Sequence, residues 1–478
     1  MAVLAAYMVP HPPLIIPDIG KGTESAIQST IDAYRKAAEK IGSLKPDTIV
    51  VISPHQVMYA DYFHISPGDG ADGDFGQFGA EQVRFHVTYD TRFVQELCRQ
   101  AEAQGLAAGT LGVRGSQDRR LDHGTMVPLH FVNQYLDNYE LVRIGLSGLS
   151  LAMHYQLGLC IQQTAELLNK NVVIIGSGDL SHKLKEDGPY GFQKEGPEYD
   201  SRIMDVMGRG AFGELLEFAE DFCEKAAECG HRSFTMMAGA LDRLAVKTDK
   251  LSHEGPFGVG YGICMYQVSG ADAERDFLVQ YERKERERLA ALRAGEDEYV
   301  KLARKTIDTY VKTGKIPALL EDLSEDLRQR RAGAFVSIKE DGRLRGCIGT
   351  IQAVQTCLAE EIIYNAVSAC SQDPRFSPIQ PKELERLVIS VDVLGDAERI
   401  DSPEQLDVKR YGVIVTNGTR RGLLLPDLEG VDHVRQQIAI AKQKAGIGDE
   451  EDVELERFEV VRHQPSVCPS ETGQTRGH

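Results

Sequence analysis

Short apolar runs separated by amphipathic stretches dominate the first two-thirds of the chain. The runs at 2–9, 48–53, 140–146, 171–176 and 258–268 are rich in β-branched residues and end in Gly, Pro or polar turns. They read as buried strands. Between them, 24–41, 91–104, 152–168 and 233–244 repeat apolar residues at helical spacing. This alternation predicts an α/β domain with a mostly parallel central sheet flanked by helices.

The pattern breaks after Gly270. Residues 275–293 interleave Lys and Arg with Glu and Asp, the signature of a solvated helical connector rather than a basic binding arm. This places a first domain at 1–272, a linker at 273–295 and a second domain at 296–470. The second order is different: helices at 296–313, 356–370 and 432–445, strands at 386–394 and 454–461, and two hairpin patterns turning at Asp341-Gly342 and Asn417-Gly418. Asp-Gly and Asn-Gly turns join antiparallel strands, so a smaller α+β antiparallel domain is expected. A length of 478 residues suits two cores better than one.

Composition narrows the function classes. A chain with 42% hydrophobic and 26% charged residues can bury sizeable cores, and no span is apolar and uncharged for long enough to cross a bilayer. Residues 1–10 lack the basic start of a signal peptide, so the expectation is a cytoplasmic protein with no membrane partner. The net charge of −18 argues against a broad nucleic-acid surface, leaving a small substrate or a protein partner, with a homo-oligomer also compatible. Nine cysteines, none in a CxxC pair, do not outline a disulfide framework or a cysteine-built cluster.

Candidate chemistry gathers where the apolar runs stop. His11 follows 2–9 in His-Pro-Pro, His55 follows 48–53 in Ser-Pro-His, and His182 closes Gly-Asp-Leu-Ser-His after 171–176. In parallel sheets, ligands collect beyond the carboxyl ends of the strands, so these three can converge. His123, in Asp-His-Gly-Thr-Met-Val-Pro-Leu, is a fourth candidate, with the preceding acid placed to orient it. Any one histidine is more often structural; four at such ends point to a metal or proton-transfer site. Two neutral imidazoles with one carboxylate suit Fe(II) and leave positions open for substrate and O2. Glu228, in Glu-Cys-Gly-His-Arg-Ser, is the candidate carboxylate, with an acid facing the next helix as its alternative. Neighbouring Cys229 is a softer possible ligand.

These five ordered motifs resemble those of the LigB-type class III extradiol dioxygenases and their relatives, the Memo proteins, over residues 1–268. The resemblance implies that His11 and His55 bind iron, that Glu228 is the carboxylate ligand, and that His123 and His182 handle protons and oxygen. It also implies a small catechol-like or aminophenol-like substrate. Memo-like proteins place a cysteine at the metal, which makes Cys229 the alternative to Glu228. In the second domain, Leu-Arg-Gly-Cys-Ile-Gly-Thr (344–350) and Asp-Pro-Arg-Phe (373–376) resemble motifs of the Ammecr family. The order of the two domains is similar to that of the AmmeMemoRadiSam system proteins, which implies a radical SAM partner; this chain has no CxxxCxxC motif of its own. Cys347, between two glycines and after Arg345, is a candidate catalytic thiol, its alternative being a buried strand cysteine. Arg375 is a candidate anion binder or the structural partner of Asp373.

Overall fold

The computed structural model describes residues 2–112, 119–319, 322–428 and 430–465. It divides into two compact units, Met1–Arg283 and Lys284–His478.

In the first unit the elements used below are β1 (Val3–Val9), α1 (Gln28–Leu44), β2 (Thr48–Ser53), β3 (Gly70–Phe75), β4 (Ala80–Thr88), α2 (Thr91–Ala103), α3 (His123–Val132), β5 (Glu140–Gly145), α4 (Leu151–Leu168), β6 (Val172–Ser177), α5 (Glu195–Arg209), α6 (His231–Gly239), β7 (Leu244–Glu254) and β8 (Tyr261–Ala271). The central sheet runs β5-β2-β6-β1-β8-β7. Its first four strands are parallel, and β8 and β7 join as an antiparallel pair. Every residue of β2 and β6 is buried, because helices cover both faces of the parallel half. One face, with Ala6, Met8, Val50 and Ile52, packs with α2 and α4. The other, with Ala5, Tyr7, Ile49 and Val51, packs with α1 and α3.

Strand register sets the ends. Val9 pairs with Ser177, and Ile52 with Gly176, so β1, β2 and β6 stop at one level.

Several elements depart from expectation. The helix predicted at 233–244 is His231–Gly239, and Leu244 already starts β7. That strand is only partly buried at the sheet edge and alternates Lys, Asp and Ser into its sequence, so it shows no apolar run. Helix α5 and the β3–β4 hairpin were likewise not expected; the hairpin opens on Gly-Ala-Asp-Gly-Asp and has little apolar signal.

A single helix, α7 (Phe277–Ala294), runs through the charged stretch. In the second unit follow α8 (Glu298–Thr313), β9 (Ala334–Glu340), β10 (Arg343–Gly349), α9 (Leu358–Ser371), β11 (Leu387–Leu394), β12 (Glu398–Ile400), β13 (Gly412–Asn417), β14 (Arg420–Leu424), α10 (Val434–Lys444), β15 (Glu454–Phe458) and β16 (Val460–His463). They form two antiparallel four-stranded sheets, β10-β9-β11-β16 and β12-β15-β13-β14. Asp341 and Gly342 both have positive φ, 51° and 81°, as a tight two-residue hairpin turn requires. The one strand expected at 454–461 is two, interrupted at Glu459, and each belongs to a different sheet.

Candidate metal centre

His11 and His55 each lie two residues past the end of a strand, β1 and β2, and β6 runs between those strands. Level strand ends therefore bring the imidazoles together: the two Nε2 atoms are 2.9 Å apart. Cys229, just before α6, places its Sγ 3.7 Å from His11 Nε2. One donor atom from each of His11, His55 and Cys229 lies within 4.8 Å of the others.

The hydrogen bonds around His11 fix its tautomer. Ser177 Oγ donates to the Gly124 carbonyl at 2.6 Å, so it accepts from His11 Nδ1 at 3.0 Å. The proton thus sits on Nδ1 and the Nε2 lone pair faces the cluster, the arrangement that outer partners impose on metal-binding histidines. Asp179 holds the same residue by its backbone, accepting from the His11 N–H at 2.8 Å. Burial lifts the Asp179 carboxyl to about 7 against the pull of that bond.

With its proton on Nδ1, His11 Nε2 turns a lone pair toward His55 Nε2 at 2.9 Å, so either a proton of His55 or a cation lies between the two nitrogens. That spacing suits two donors about 2.1 Å from one ion at roughly a right angle. Burial, then the charges of His55, His123 and His182, hold His11 well below its ordinary pKa. Burial is also the main cause for His55, and it brings His123 down to about 4. The imidazoles are therefore neutral at pH 7, the ligand form. Burial and then Asp179 push the Cys229 thiol well above its usual range, so a metal ion must displace its proton. The donor set fits a divalent ion.

Glu228 is not part of the cluster. Its Oε2 accepts from the His231 N–H at 2.6 Å, covering the exposed donors at the start of α6. Of the two adjacent candidates, it is Cys229 whose donor atom lies with those of His11 and His55. The physical reason lies in the loop. Ala227 has φ 52°, and a Cβ on Gly178 would stand 2.1 Å from Gly230 Cα. Only glycine permits that approach, which presses the loop onto the end of β6 and turns Cys229 toward His11. The Asp179 N–H donates to Cys229 Sγ at 3.2 Å.

His123 is the first residue of α3, its ring 3.9 Å from that of His55 and 5.3 Å from that of His11. Asp122 does not orient the His123 ring: its carboxylate caps α3 through the Thr125 N–H at 3.0 Å and accepts from Ser53 Oγ at 2.5 Å. His182 Nδ1 donates to the Ala227 carbonyl at 2.7 Å, which leaves its Nε2 as an acceptor. A charge on His182 disfavours protonation of both His11 and His55. Tyr190 meets the His182 ring edge-on at 5.1 Å. An open depression of about 630 Å³, lined by His55, Gln56, Phe78, Arg120 and His123, gives access. Ser177, Asp179, Phe78 and Tyr190 were not singled out from the sequence; Ser177 carried a signal as the polar residue ending a buried strand, and Asp179 as part of Gly-Asp-Leu-Ser-His.

In the second unit, the cation expected at Cys347 is not Arg345, which pairs with Glu383 at 2.7 Å. Arg375 pairs with Asp373, also at 2.7 Å, and donates to the Cys347 carbonyl at 3.1 Å.

Comparison with known proteins matches residues 5–264 to the family described as the catalytic LigB subunit of aromatic ring-opening dioxygenase, and residues 300–463 to the AMMECR1 family. Protein CA_C1420 of Clostridium acetobutylicum is 38% identical over 471 residues, covering 98% of this chain and 100% of the relative. A Thermotoga maritima protein is 52% identical over 172 residues, 36% of this chain and 99% of its own length. Among solved structures, the uncharacterized protein PH0010 from Pyrococcus horikoshii is 32% identical, covers 36% of this chain and 92% of its own, and has a TM-score of 0.34.

Proposed function

Since this chain belongs to the LigB family of aromatic ring-opening dioxygenase catalytic subunits and carries an AMMECR1 domain behind that region, we propose that its first unit is a non-haem iron(II) oxidoreductase acting on a small catechol-like or aminophenol-like aromatic, with His11, His55 and Cys229 holding the metal. The observation that carries this reading is the pair of Nε2 atoms 2.9 Å apart, one of them with its tautomer fixed, and a thiol beside them. Two neutral imidazoles and one thiolate carry the same charge as the two-histidine, one-carboxylate set, and three ligands leave positions open. Bound there, iron(II) supplies the positive charge that acidifies a chelating hydroxyl and the electrons that O2 chemistry needs.

The surrounding residues do the rest. His182, with Nδ1 held by the Ala227 carbonyl, offers Nε2 to take a proton from the substrate hydroxyl and return it later. His123, neutral with its pKa at about 4, orients the aromatic and stabilises developing negative charge. Phe78, edge-on to His123 at 5.4 Å, offers the ring an apolar wall.

Cys229 in place of a carboxylate favours a second reading. Its similarity to the Memo site, with the domain order of the AmmeMemoRadiSam system proteins, supports a non-oxygenase metalloprotein that serves a radical SAM partner. Anaerobic titration with Fe(II), followed by O2 uptake on a panel of catechols and aminophenols, separates the readings. Stoichiometric iron with O2 uptake supports the oxygenase; iron without uptake on any diol supports the second; failure to retain iron overturns both.

A further inference from the structure

Helix α3 carries a proline in its interior, Pro128. A proline there has no N–H to give to the carbonyl four residues earlier, and its ring crowds that carbonyl away from the helix axis. The residue four earlier is Gly124. Its carbonyl, lacking that helix bond, accepts from Ser177 Oγ at 2.6 Å, and Ser177 Oγ accepts from His11 Nδ1 at 3.0 Å. One missing donor in α3 is thus linked through two hydrogen bonds to an imidazole of the candidate metal centre.

The first turn of α3 is built to lie against the strand ends. A Cβ on Gly124 would stand 2.4 Å from Ser53 Oγ and could be housed only by moving that hydroxyl off Asp122, to which it donates at 2.5 Å. Ser53 Oγ also accepts from the His55 N–H at 3.2 Å. The serines that end β2 and β6 are therefore both held as donors to α3, one by a carboxylate and the other by a peptide carbonyl. A serine hydroxyl has a single proton. With that proton committed to Gly124, Ser177 Oγ can only accept from His11.

An N–H at position 128 would compete for the Gly124 carbonyl and draw it back toward the helix axis. Ser177 would then be free to turn its proton onto His11 Nδ1. The imidazole would carry its own proton on Nε2, the atom that faces His55 Nε2 at 2.9 Å, where it blocks the lone pair a metal ion needs.

We propose that Pro128 is a positioning residue of the metal centre: by leaving the Gly124 carbonyl to Ser177, it holds His11 in the tautomer whose Nε2 lone pair is open to a metal ion. Its use in metal binding rests on His11 being a ligand, whereas the tautomer is a property of the metal-free chain.

The test reads the His11 ring by long-range proton–nitrogen correlation on metal-free, full-length protein carrying 15N-labelled histidine, the signals being assigned by their loss in His11→Gln. In the parent chain Nδ1 should carry the proton. Pro128→Ala should move the population toward the Nε2-protonated form, and Pro128→Val, which keeps the bulk of the ring while supplying the same N–H, should do so too. Val132→Ala removes volume from a buried position on the same helix without adding a donor, and should leave the tautomer unchanged. In both Pro128 variants the Fe(II) dissociation constant, measured by chelator competition, should rise by about ten-fold, the low end for groups outside the ligand set. A parent ring protonated on Nε2, Pro128 variants that keep the proton on Nδ1, or an equal shift in Val132→Ala overturns the role of Pro128, whatever the metal affinity does. A tautomer that moves as expected in a chain that retains no iron upholds that role and overturns the metal assignment instead.

Discussion

Replacing Cys229 by Ala and, separately, Glu228 by Gln tests which of two adjacent residues holds the metal. Cys229 Sγ lies 3.7 Å from His11 Nε2, whereas Glu228 spends its oxygen on the His231 N–H. Structural sites with about four ligands bind zinc with roughly 10–16 kcal/mol, so one ligand carries about 2.5–4 kcal/mol. Cys229→Ala should therefore raise the dissociation constant by about 10²–10³-fold. Glu228→Gln keeps an acceptor oxygen for the helix and removes no ligand, so affinity should fall by no more than about ten-fold, the low end for groups outside the ligand set. Anaerobic competition against a chromogenic chelator measures both. Cobalt substitution adds a direct readout, because thiolate-to-cobalt charge transfer disappears only when the sulfur ligand is removed. Metal loss in Glu228→Gln with retention in Cys229→Ala would refute the assignment.

Ser177→Ala removes the partner that keeps the proton on His11 Nδ1; metal affinity should drop by about 10–100-fold with the fold intact, and unchanged affinity in the same titration counts against the tautomer argument. Gly178→Ala drives a Cβ into Gly230 Cα and should cost about 1–3 kcal/mol in urea denaturation, along with weaker metal binding as Cys229 moves; a stable, fully binding variant contradicts the packing. Burial holds the Glu228 carboxyl at about 7, above the ~4.3 of a free glutamate, so the folded state keeps an extra proton and loses that advantage as pH rises from about 4.3 to 7. Metal-free Glu228→Gln escapes that loss, and its urea midpoint should gain on the parent chain's across the same window; a constant gap rejects the burial effect. His182→Ala should retain iron yet lower any diol-dependent turnover by about 10²–10⁴-fold, and normal turnover would remove its proton-transfer role.

The parallel half of the first sheet was legible because each of its strands is buried on both faces and so spells a continuous apolar run, as β2 and β6 do. The strands that escaped are those held by pairing along a partly exposed edge rather than by burial on both faces, so their sequences carry little apolar signal. Strand β7 carries Lys247, Asp249 and Lys250 and is held at the edge by pairing to β8. In the second unit the turn residues announced the hairpins, but the passage from β15 to β16 leaves no mark in a run of alternating residues, since which sheet a strand joins depends on its neighbours.

The histidines of the candidate site were legible for the same reason as the strands that carry them: a residue two positions beyond a buried strand end has its place fixed by the strand. The third donor was not, because it comes from a loop. Glu228 and Cys229 are adjacent, both titratable, and equally good ligands by type, so no property of either decides between them. The decision is made 50 residues away in sequence by Gly178, whose missing side chain lets Gly230 close onto β6. The Asp179 N–H then meets Cys229 Sγ, while the open start of α6 draws the Glu228 carboxylate to the His231 N–H. Placement of the softer donor beside His11 thus follows from backbone packing and helix capping, and under the proposed assignment sulfur would give a bound metal more electron density than oxygen would.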